Sequence, residues 1–431
     1  MDKDRRTAFL ILKEIEEKGT WSNLAADHLI RKEGADSPAF VRELVYGTLR
    51  NKTLLDFNID RFLSKPKTGL SERIWLRMGF YQLALMDGVK DHAAINETVE
   101  LARNFKKGSE GFINAVLRSF QRRNRLLIYP SEASESYLRV RYSVHKDIAK
   151  LWVDSFGLET AERLLDASNT PAPLAIRVNS LKSGRDELKA KLEELGFETS
   201  QENTLSKNCL FVKGSGLLDT DLYKEGYFSV QGDSSQFAAD LLSPKPGSNV
   251  IDLCAAPGGK SCAMAEIMGD EGSILAFDLY DHRVKLIEIE AQRLGLNIVK
   301  PMQGDATFYD ERLNSSADYV LADVPCSGLG TLRENPEIKF RTPDRINVQG
   351  KILENALRYV KAGGFVLYST CTIDPKENEE LIKSCAMLDS SILHGSAFDA
   401  SKKYRVIASR QLFTKKGGHD GFYVCLIKRH R

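Results

Sequence analysis

The chain has 431 residues, a formal net charge of +2, 42% hydrophobic residues and 28% charged residues. This length allows two or three domains that each bury a core, and the composition is typical of globular proteins rather than disordered or fibrous ones. No apolar run has the length of a membrane span, and the opening MDKDRRTAFLILKEIEEKG does not have the pattern of a secretion signal. We therefore expect a cytoplasmic protein with no membrane partner.

The seven cysteines are spread along the chain without a C-x-x-C pair and without histidines at zinc spacing. This pattern supports neither a disulfide framework nor a metal site. A cysteine that matters for function would therefore act as a thiol, although each one alone is by default a small buried hydrophobic residue.

The first part of the chain is basic and helical. Residues 1–130 carry 23 Lys and Arg against 17 Asp and Glu, whereas the remainder carries 38 against 42. Apolar residues at three-to-four spacing, with helix starts at Ser37-Pro38 and Ser71-Glu72, predict an all-α domain over residues 1–126. A basic cluster could bind a polyanion or could be a solvated helical face, and charge alone does not separate these readings. It consists of Arg103, Lys106, Lys107, Arg118, Arg122, Arg123 and Arg125.

Three further segments follow. Residues 127–170 read as a helical linker, and prolines in TPAPLAIRVNS mark the next boundary. Residues 171–235 combine strand-like LAIRVNS and CLFVKG with helix-like GRDELKAKLEELG, which predicts a small α+β domain. From residue 236 to 431, short apolar strands alternate with helices, as expected for a doubly wound parallel sheet of the Rossmann type. The closing GFYVCLIKR predicts a last, antiparallel edge strand.

The first strand of this sheet is followed by CAAPGGKS, whose ending matches a phosphate-binding P-loop. A P-loop needs a glycine where this chain has Cys254, and Pro257 removes one backbone donor. The dinucleotide fingerprint also fails, because Gly258 and Gly259 are adjacent. A turn that brings a ligand close to backbone remains, and a P-loop ATPase is disfavoured.

Successive strands then end in carboxylates and thiols. Asp278, Asp305 and Asp323 follow the second, third and fourth strands, and ligands bind at this edge of such sheets. Carboxylates accept hydrogen bonds from hydroxyls and amines but repel phosphate, so a nucleoside with a ribose fits better than a polyphosphate. Cys326 and Cys371 follow the fourth and fifth strands, which should bring both thiols to one cleft.

These motifs resemble a known family. DLCAAPGGKS, ADVPCSGLG and YSTCTIDPKENEE look like the signatures of the S-adenosylmethionine-dependent RNA cytosine-5 methyltransferases. HAAINETVELAR and GFINAVLRSF resemble the NusB-type RNA-binding domain, and that combination is similar to the RsmB (Fmu/Sun) family. Two departures are visible: Gly232 interrupts the family's Val-Gln-Asp, and the segment 341–348 is shorter than this branch leads us to expect.

The resemblance implies a NusB-like domain over 1–126, a linker over 127–170, an RNA-binding subdomain over 171–235 and a methyltransferase domain over 236–431. It implies that Cys371 is the nucleophile, that Cys326 assists product release, and that Asp323 lies between cofactor and target base. Spacing alone does not select between the two cysteines. The implied S-adenosylmethionine contacts are Cys254, Ala255, Ala256, Pro257, Gly258, Gly259 and Lys260 for the methionine part, Asp278 for the ribose, Asp305 for the adenine, and also Arg283 and Asp323.

The implied reaction is methylation of carbon 5 of a cytosine in 16S rRNA, cytosine 967 by resemblance, through a covalent adduct between a cysteine and carbon 6. The implied substrate is 16S rRNA, free or early in assembly, and the enzyme is expected to be a monomer. A tRNA cytosine-5 methyltransferase would share the catalytic residues without a NusB-like domain. A non-catalytic RNA-binding ribosome assembly factor is the alternative from another class.

Overall fold

The computed structural model describes residues 2–64, 68–132, 136–343, 347–394, 399 and 401–430. It forms two compact units, Met1–Pro171 with Leu332–Pro343, and Ala172–Thr331 with Asp344–Arg431. Within these units, the four-segment division made from the sequence remains a prediction. In the part of the chain that the structure describes, none of the helices has the length and apolar character needed to cross a membrane.

The first unit is helical, as its apolar spacing predicts. Helix α3 (Pro38–Arg50) begins where the sequence indicates, because Pro38 occupies its first turn and the Ser37 hydroxyl accepts a hydrogen bond from the Phe40 amide. Over the described residues of 2–125 the structure contains helices and no strand. The helices are α1 (Lys3–Lys18), α2 (Ser22–Glu33), α3 (Pro38–Arg50), α4 (Lys52–Ile59), α5 (Leu70–Ala84), α6 (Asp91–Phe105), α7 (Glu110–Arg122), α8 (Tyr137–Arg141), α9 (Lys146–Phe156) and α10 (Leu158–Ser168).

Helix α7 shows how the predicted apolar stripe packs. Val116 and Phe120 are buried, and the Phe120 ring stacks on Phe80 with centroids 3.9 Å apart. Phe112 lies on the same predicted stripe but is 38% exposed. Residues four apart on a helix are separated by slightly more than one full turn, so positions 112, 116 and 120 drift around the helix axis. The first of them, Phe112, therefore reaches the surface.

A short segment from the far half of the sequence completes the first unit. Residues 332–343 belong to it, and the Lys339 carbonyl accepts a hydrogen bond of 2.6 Å from the His145 amide. The Lys339 ammonium is buried and donates to the Arg50 carbonyl at 3.3 Å and to the Asn169 side chain. Burial, with the charge of Arg50 as a second cause, lowers the pKa of Lys339 to about 7.

The second unit begins with a small antiparallel sheet, whose strands lie in the order β2 (Glu198–Ser200), β3 (Cys209–Lys213), β1 (Leu174–Val178) and β4 (Phe228–Val230). The predicted strand, helix and strand form here as β1, α11 (Arg185–Glu194) and β3. Two further strands, β2 and β4, have three residues each and are too short to show a pattern in the sequence. Asp233, which follows the inserted Gly232, accepts hydrogen bonds from the backbone amides of Leu205 and Ser206. The elements are β1 (Leu174–Val178), α11 (Arg185–Glu194), β2 (Glu198–Ser200), β3 (Cys209–Lys213), α12 (Asp221–Lys224) and β4 (Phe228–Val230).

An eight-stranded sheet follows, in the order β10-β11-β12-β9-β8-β5-β6-β7. Neighbouring strands from β7 to β9 pair in parallel, which confirms the doubly wound sheet. Its elements are α13 (Asp233–Leu242), β5 (Asn249–Asp252), α14 (Gly259–Ile267), β6 (Ser273–Asp278), α15 (Asp281–Leu294), β7 (Val299–Gln303), β8 (Ala317–Asp323), α16 (Gln349–Tyr359), β9 (Val360–Thr370), α17 (Glu379–Ser384), β10 (Leu388–Asp389), α18 (Ser391–His394), β11 (Tyr404–Leu412) and β12 (Phe422–Arg429).

The strand order has two consequences. The chain leaves β5 toward β6 and β7 and then returns to β8, so β5 and β8 flank the point where a doubly wound sheet binds its ligand. The last strand, β12, is antiparallel to β9 as predicted, but it is not an edge strand. It lies between β9 and β11, because β11 pairs with its other side.

Candidate active site

The glycine turn after β5 brings backbone to the ligand-binding edge of the sheet. Gly258 has φ +107, and a Cβ atom there would lie 3.1 Å from the Ile287 Cα atom. The position therefore requires glycine. The Ala255 amide donates to the Phe277 carbonyl at 2.7 Å and so joins the turn to β6. Cys254 lies within the turn, and burial raises the pKa of its thiol, which keeps it neutral.

Asp278, at the end of β6, lies against this turn. It is 4% exposed, and its Oδ2 atom accepts a hydrogen bond of 3.3 Å from the Ala256 amide. The Arg283 guanidinium is 3.6 Å from the same oxygen and donates to the Ala256 carbonyl at 3.2 Å. Two of the predicted cofactor residues thus contact the predicted turn.

A cavity of about 570 Å³ lies beside the ends of β5, β6 and β7. Leu253, Phe277 and Tyr309 give it apolar walls, and Gly304 and Asp305 line it at the end of β7. Apolar walls beside a carboxylate suit a flat, amine-bearing ring, since the walls cover its faces and the carboxylate accepts from its edge. The residues present therefore fit an adenine.

Asp323, at the end of β8, is held from two sides. Its Oδ2 atom is 2.7 Å from the Lys260 ammonium, and its Oδ1 atom accepts a hydrogen bond of 2.7 Å from the Ser369 hydroxyl. Lys260 belongs to the glycine turn and Ser369 to β9, so this carboxylate joins three strand ends. The Asp323 side chain remains 24% exposed. It is fixed in position and open to a ligand.

The two predicted thiols meet at the ends of β8 and β9. The Sγ atoms of Cys326 and Cys371 are 3.2 Å apart, a hydrogen-bond contact. The loop that carries Cys326 is held by two backbone hydrogen bonds of 3.0 Å. The Val324 amide donates to the Ser369 carbonyl of β9, and the Gly330 amide donates to the carbonyl of Cys371, just after β9. The hydrogen bond with Cys371, together with burial, raises the pKa of Cys326 and keeps that thiol protonated.

One carboxylate at this edge was not singled out from the sequence. Asp252 is fully buried at the end of β5, where its Oδ2 atom accepts a hydrogen bond of 2.6 Å from the Ser261 hydroxyl. Burial raises the pKa of Asp252 to about 7, and the charge of Asp323 adds to this. The available signal was an acid inside the apolar run NVIDLC, which is rare unless the acid is paired.

The basic cluster lies in the first unit, on α6, α7 and the turns that follow them. Most of its members are exposed. Three of them form ion pairs with neighbouring acids: Arg103 with Glu100, Lys106 with Glu72 and Arg125 with Asp91. These pairs make the cluster less positive than its sequence suggests.

Comparisons with known proteins agree with this arrangement. Residues 239–428 match the family 16S rRNA methyltransferase RsmB/F, residues 2–122 match the NusB family, and residues 148–216 match the ferredoxin-like domain of RsmF/B-like methyltransferases. Probable ribosomal RNA small subunit methyltransferase B of Bacillus subtilis (strain 168) is 33% identical, with 99% of this chain and 98% of that protein covered. Ribosomal RNA small subunit methyltransferase B of Klebsiella pneumoniae (strain 342) is 30% identical, with the same coverage.

Among solved structures, that of PH0851 matches with a TM-score of 0.78 and 25% identity, covering 100% of this chain and 99% of that one. A methyltransferase homologue from Pyrococcus horikoshii matches with a TM-score of 0.58 and 25% identity, covering 70% of this chain and 100% of that one. The whole-length similarity to named relatives, together with the matched segments, decides the assignment. The chain belongs to the RsmB/F family of 16S rRNA methyltransferases.

Proposed function

We propose that this enzyme methylates carbon 5 of a cytosine in 16S rRNA, cytosine 967 by resemblance, through a covalent adduct with Cys371. The observation that carries the proposal is the contact of 3.2 Å between the Cys326 and Cys371 thiols, beside a carboxylate held by Lys260 and Ser369. A paired thiol and carboxylate at the cofactor edge suit nucleophilic activation of a pyrimidine ring.

The methyl donor is S-adenosylmethionine, which supplies a methyl group carried on a sulfonium. The turn from Cys254 to Lys260 holds its methionine part, Asp278 with Arg283 the ribose, and Asp305 the adenine. Several features support this division. The Asp278 carboxylate is next to the turn, the cavity of about 570 Å³ has apolar walls, and Asp305 lines that cavity.

Carbon 5 of cytosine is a weak nucleophile, so the ring needs added electron density before it can take a methyl group. The Cys371 thiolate adds to carbon 6, and the new carbon–sulfur bond shifts the ring electrons toward carbon 5 and nitrogen 3. A hydrogen bond donated by the protonated Cys326 stabilises the Cys371 thiolate.

Asp323 orients the base during this addition. A carboxylate accepts hydrogen bonds from the exocyclic amine of cytosine and from a proton at nitrogen 3, and the latter balances the charge that develops in the ring. Lys260 and Ser369 hold both oxygens at 2.7 Å, so the carboxylate does not need to reorganise when the base arrives.

Release reverses the addition. The proton on carbon 5 passes to a water molecule, its bonding pair forms the double bond between carbons 5 and 6, and the bond from carbon 6 to sulfur breaks with its pair going to sulfur. The sulfur of Cys371 departs as a thiolate beside the Cys326 thiol, which donates a hydrogen bond to it. Loss of that donor slows release more than addition.

The target cytosine has to leave its base stack to reach these strand ends, so we expect the substrate to be a loop or unburied segment of 16S rRNA, free or early in assembly. The helical unit with its exposed basic cluster would bind phosphates, a contribution that weakens with salt. We propose that the enzyme acts in the cytoplasm as a monomer.

The test combines labelled S-adenosylmethionine with protein-free 16S rRNA, followed by mapping of the labelled base. Cys371→Ala should form no covalent RNA adduct, whereas Cys326→Ala should accumulate one on a denaturing gel, because its Cys371 thiolate leaves without a donor. The opposite pattern would exchange the roles of the two cysteines.

The same assay separates the alternatives. Label in tRNA rather than 16S rRNA would indicate a tRNA cytosine-5 methyltransferase. RNA binding without 5-methylcytosine in any rRNA or tRNA would indicate an assembly factor and refute the proposal.

A further inference from the structure

Glu377 is a deeply buried carboxylate that the reaction described above does not use. It ends the short 3-10 turn Pro375–Glu377, six residues after Cys371, and is 1% exposed. The Tyr368 hydroxyl donates to its backbone carbonyl at 2.6 Å, which holds the turn against β9. A carboxylate this buried has to be hydrogen-bonded, so its partners show what it holds.

The partners of Glu377 lie on both sides of Cys326. The Glu377 Oε1 atom accepts a hydrogen bond of 3.1 Å from the Ser327 amide, and its Oε2 atom accepts one from the Ser327 hydroxyl. The Gln349 amide nitrogen donates to Oε1 at 2.9 Å and also to the Pro325 carbonyl at 2.9 Å. One carboxylate therefore anchors the residue after Cys326 directly and the residue before it through Gln349.

Other hydrogen bonds hold the ends of this loop and also contribute in its middle. Val324 and Gly330 are bonded to β9 and to Cys371, at the first and last residues of the stretch 324–330. In the middle of the loop, the Cys326 thiol contacts Cys371 and the Gly328 backbone, and the next residue, Ser327, is held by Glu377. The Ser327 hydroxyl also contacts the Thr372 hydroxyl at 2.8 Å, but its amide donates to Glu377. The Glu377 contacts act on the backbone at both neighbours of Cys326, so they help to set where its side chain begins.

The negative charge of Glu377 also acts on the Cys326 thiol. The hydrogen bond with Cys371 and burial are the largest causes of the raised pKa of Cys326, and the nearby negative charge of Glu377 raises it further. A thiol kept protonated is a hydrogen-bond donor.

We propose that Glu377 is the positioning residue that holds Cys326 as the donor to the departing Cys371 sulfur, and so sets the rate of product release. This inference rests on the proposed function, because the step concerned is breakage of the bond between Cys371 and carbon 6 of the base. That bond breaks with its electron pair returning to the Cys371 sulfur, and Glu377 takes no part in forming it.

The experiment uses Glu377→Gln, which preserves size but replaces one acceptor oxygen by a donor and removes the charge. Glu379→Gln is the matched control, since Glu379 lies two residues along, is exposed and pairs with Lys383. We expect Glu377→Gln to form the RNA adduct at a rate within about threefold of wild type but to release it about tenfold or more slowly, so that adduct accumulates. Glu379→Gln should behave as wild type.

Epistasis distinguishes positioning from a general loss of structure. If Glu377 acts through Cys326, the double variant Glu377→Gln with Cys326→Ala should accumulate the same amount of adduct as Cys326→Ala alone. A further fall in adduct formation in the double variant would refute positioning, because it would mean that Glu377 supports the fold or the nucleophile instead.

Hydrogen exchange tests the same point without RNA. The Ser327 amide should exchange about tenfold or more faster in Glu377→Gln than in wild type or Glu379→Gln, because it loses a charged acceptor. Unchanged exchange over residues 324–330 would overturn the inference. If exchange rises but neither wild type nor Cys326→Ala ever forms an adduct, the loop anchor stands, and both the proposed function and the role in release fail.

Discussion

Removal of the Arg177 side chain should destabilise the second unit strongly. Arg177 is a 3% exposed residue of β1, and it pairs with Glu266 of α14 through two hydrogen bonds of 3.0 and 2.8 Å. It also donates to the Gly259 carbonyl at 2.8 Å and to the Gln231 side chain. Arg177 thereby joins the small sheet to Gly259, the first residue of α14 and part of the cofactor turn.

The magnitude follows from burial. Arg177→Met leaves the Glu266 carboxylate buried and without its cation, a change that typically destabilises by about 3–5 kcal/mol. For a unit of this size, that is a fall in Tm of roughly 10 °C. The double variant Arg177→Met with Glu266→Leu should recover most of the loss, because no charge is then left buried. Lys191→Met, which breaks an exposed pair with Glu187, should leave the urea midpoint close to that of wild type.

Urea unfolding at several pH values is the assay. Burial raises the pKa of Glu266, and Arg177 opposes that rise, so its removal moves the pKa higher still. A carboxyl whose pKa is higher in the folded than in the unfolded state favours folding when protonated, and this stability is lost as pH rises through the folded pKa. The loss in free energy of unfolding caused by Arg177→Met should therefore be larger at pH 8 than at pH 5. A deficit below about 1 kcal/mol, or one independent of pH, would contradict this reasoning.

Three further outcomes are expected from urea unfolding. Asp252, whose pKa is raised to about 7, stabilises the fold when it is protonated, so the free energy of unfolding should fall between about pH 4 and pH 7. Asp252→Asn should remove that fall. An unchanged pH profile in this variant would argue against a role for Asp252. Gly258→Ala should destabilise the fold by about 1 kcal/mol more than Gly247→Ala. Both glycines have positive φ, but of the two only Gly258 faces the Ile287 backbone. Equal losses of stability in the two variants would exclude a steric role for the Ile287 contact. Lys339, with its pKa lowered to about 7, should make the first unit more stable as pH rises from 7 toward 10. Lys339→Met should flatten this rise in stability. If the rise persists in the variant, another group causes it.

Much of the fold was predictable because it rests on local patterns. Apolar spacing in α3 and α7, and the alternation of strands and helices from β5 to β9, are properties of consecutive residues. The site followed from them by one rule, that parallel strands present their carboxyl ends at a common edge. Asp323 and Ser369 are neighbours across β8 and β9, so that rule was enough to predict that Cys326 and Cys371 lie close together.

Other features depend on contacts between distant residues, which leave no periodic signal. Residues 332–343 lie within the segment 236–431 predicted as the methyltransferase domain, and they pack in the helical unit, where Lys339 meets Arg50 and Asn169. Likewise, β12 reads as an edge strand until β11 pairs beside it.

The sequence by itself determined the fold class, the family resemblance and the set of groups at the strand ends, because helix and strand periods and motif spacing are local. Only the tertiary structure decided which groups hold one another: Lys260 and Ser369 on Asp323, and Glu377 beside the loop that carries Cys326. Glu377 follows Cys371 closely in the chain, but its partner Ser327 is 50 residues away, and only the pairing of β8 with β9 brings the two together.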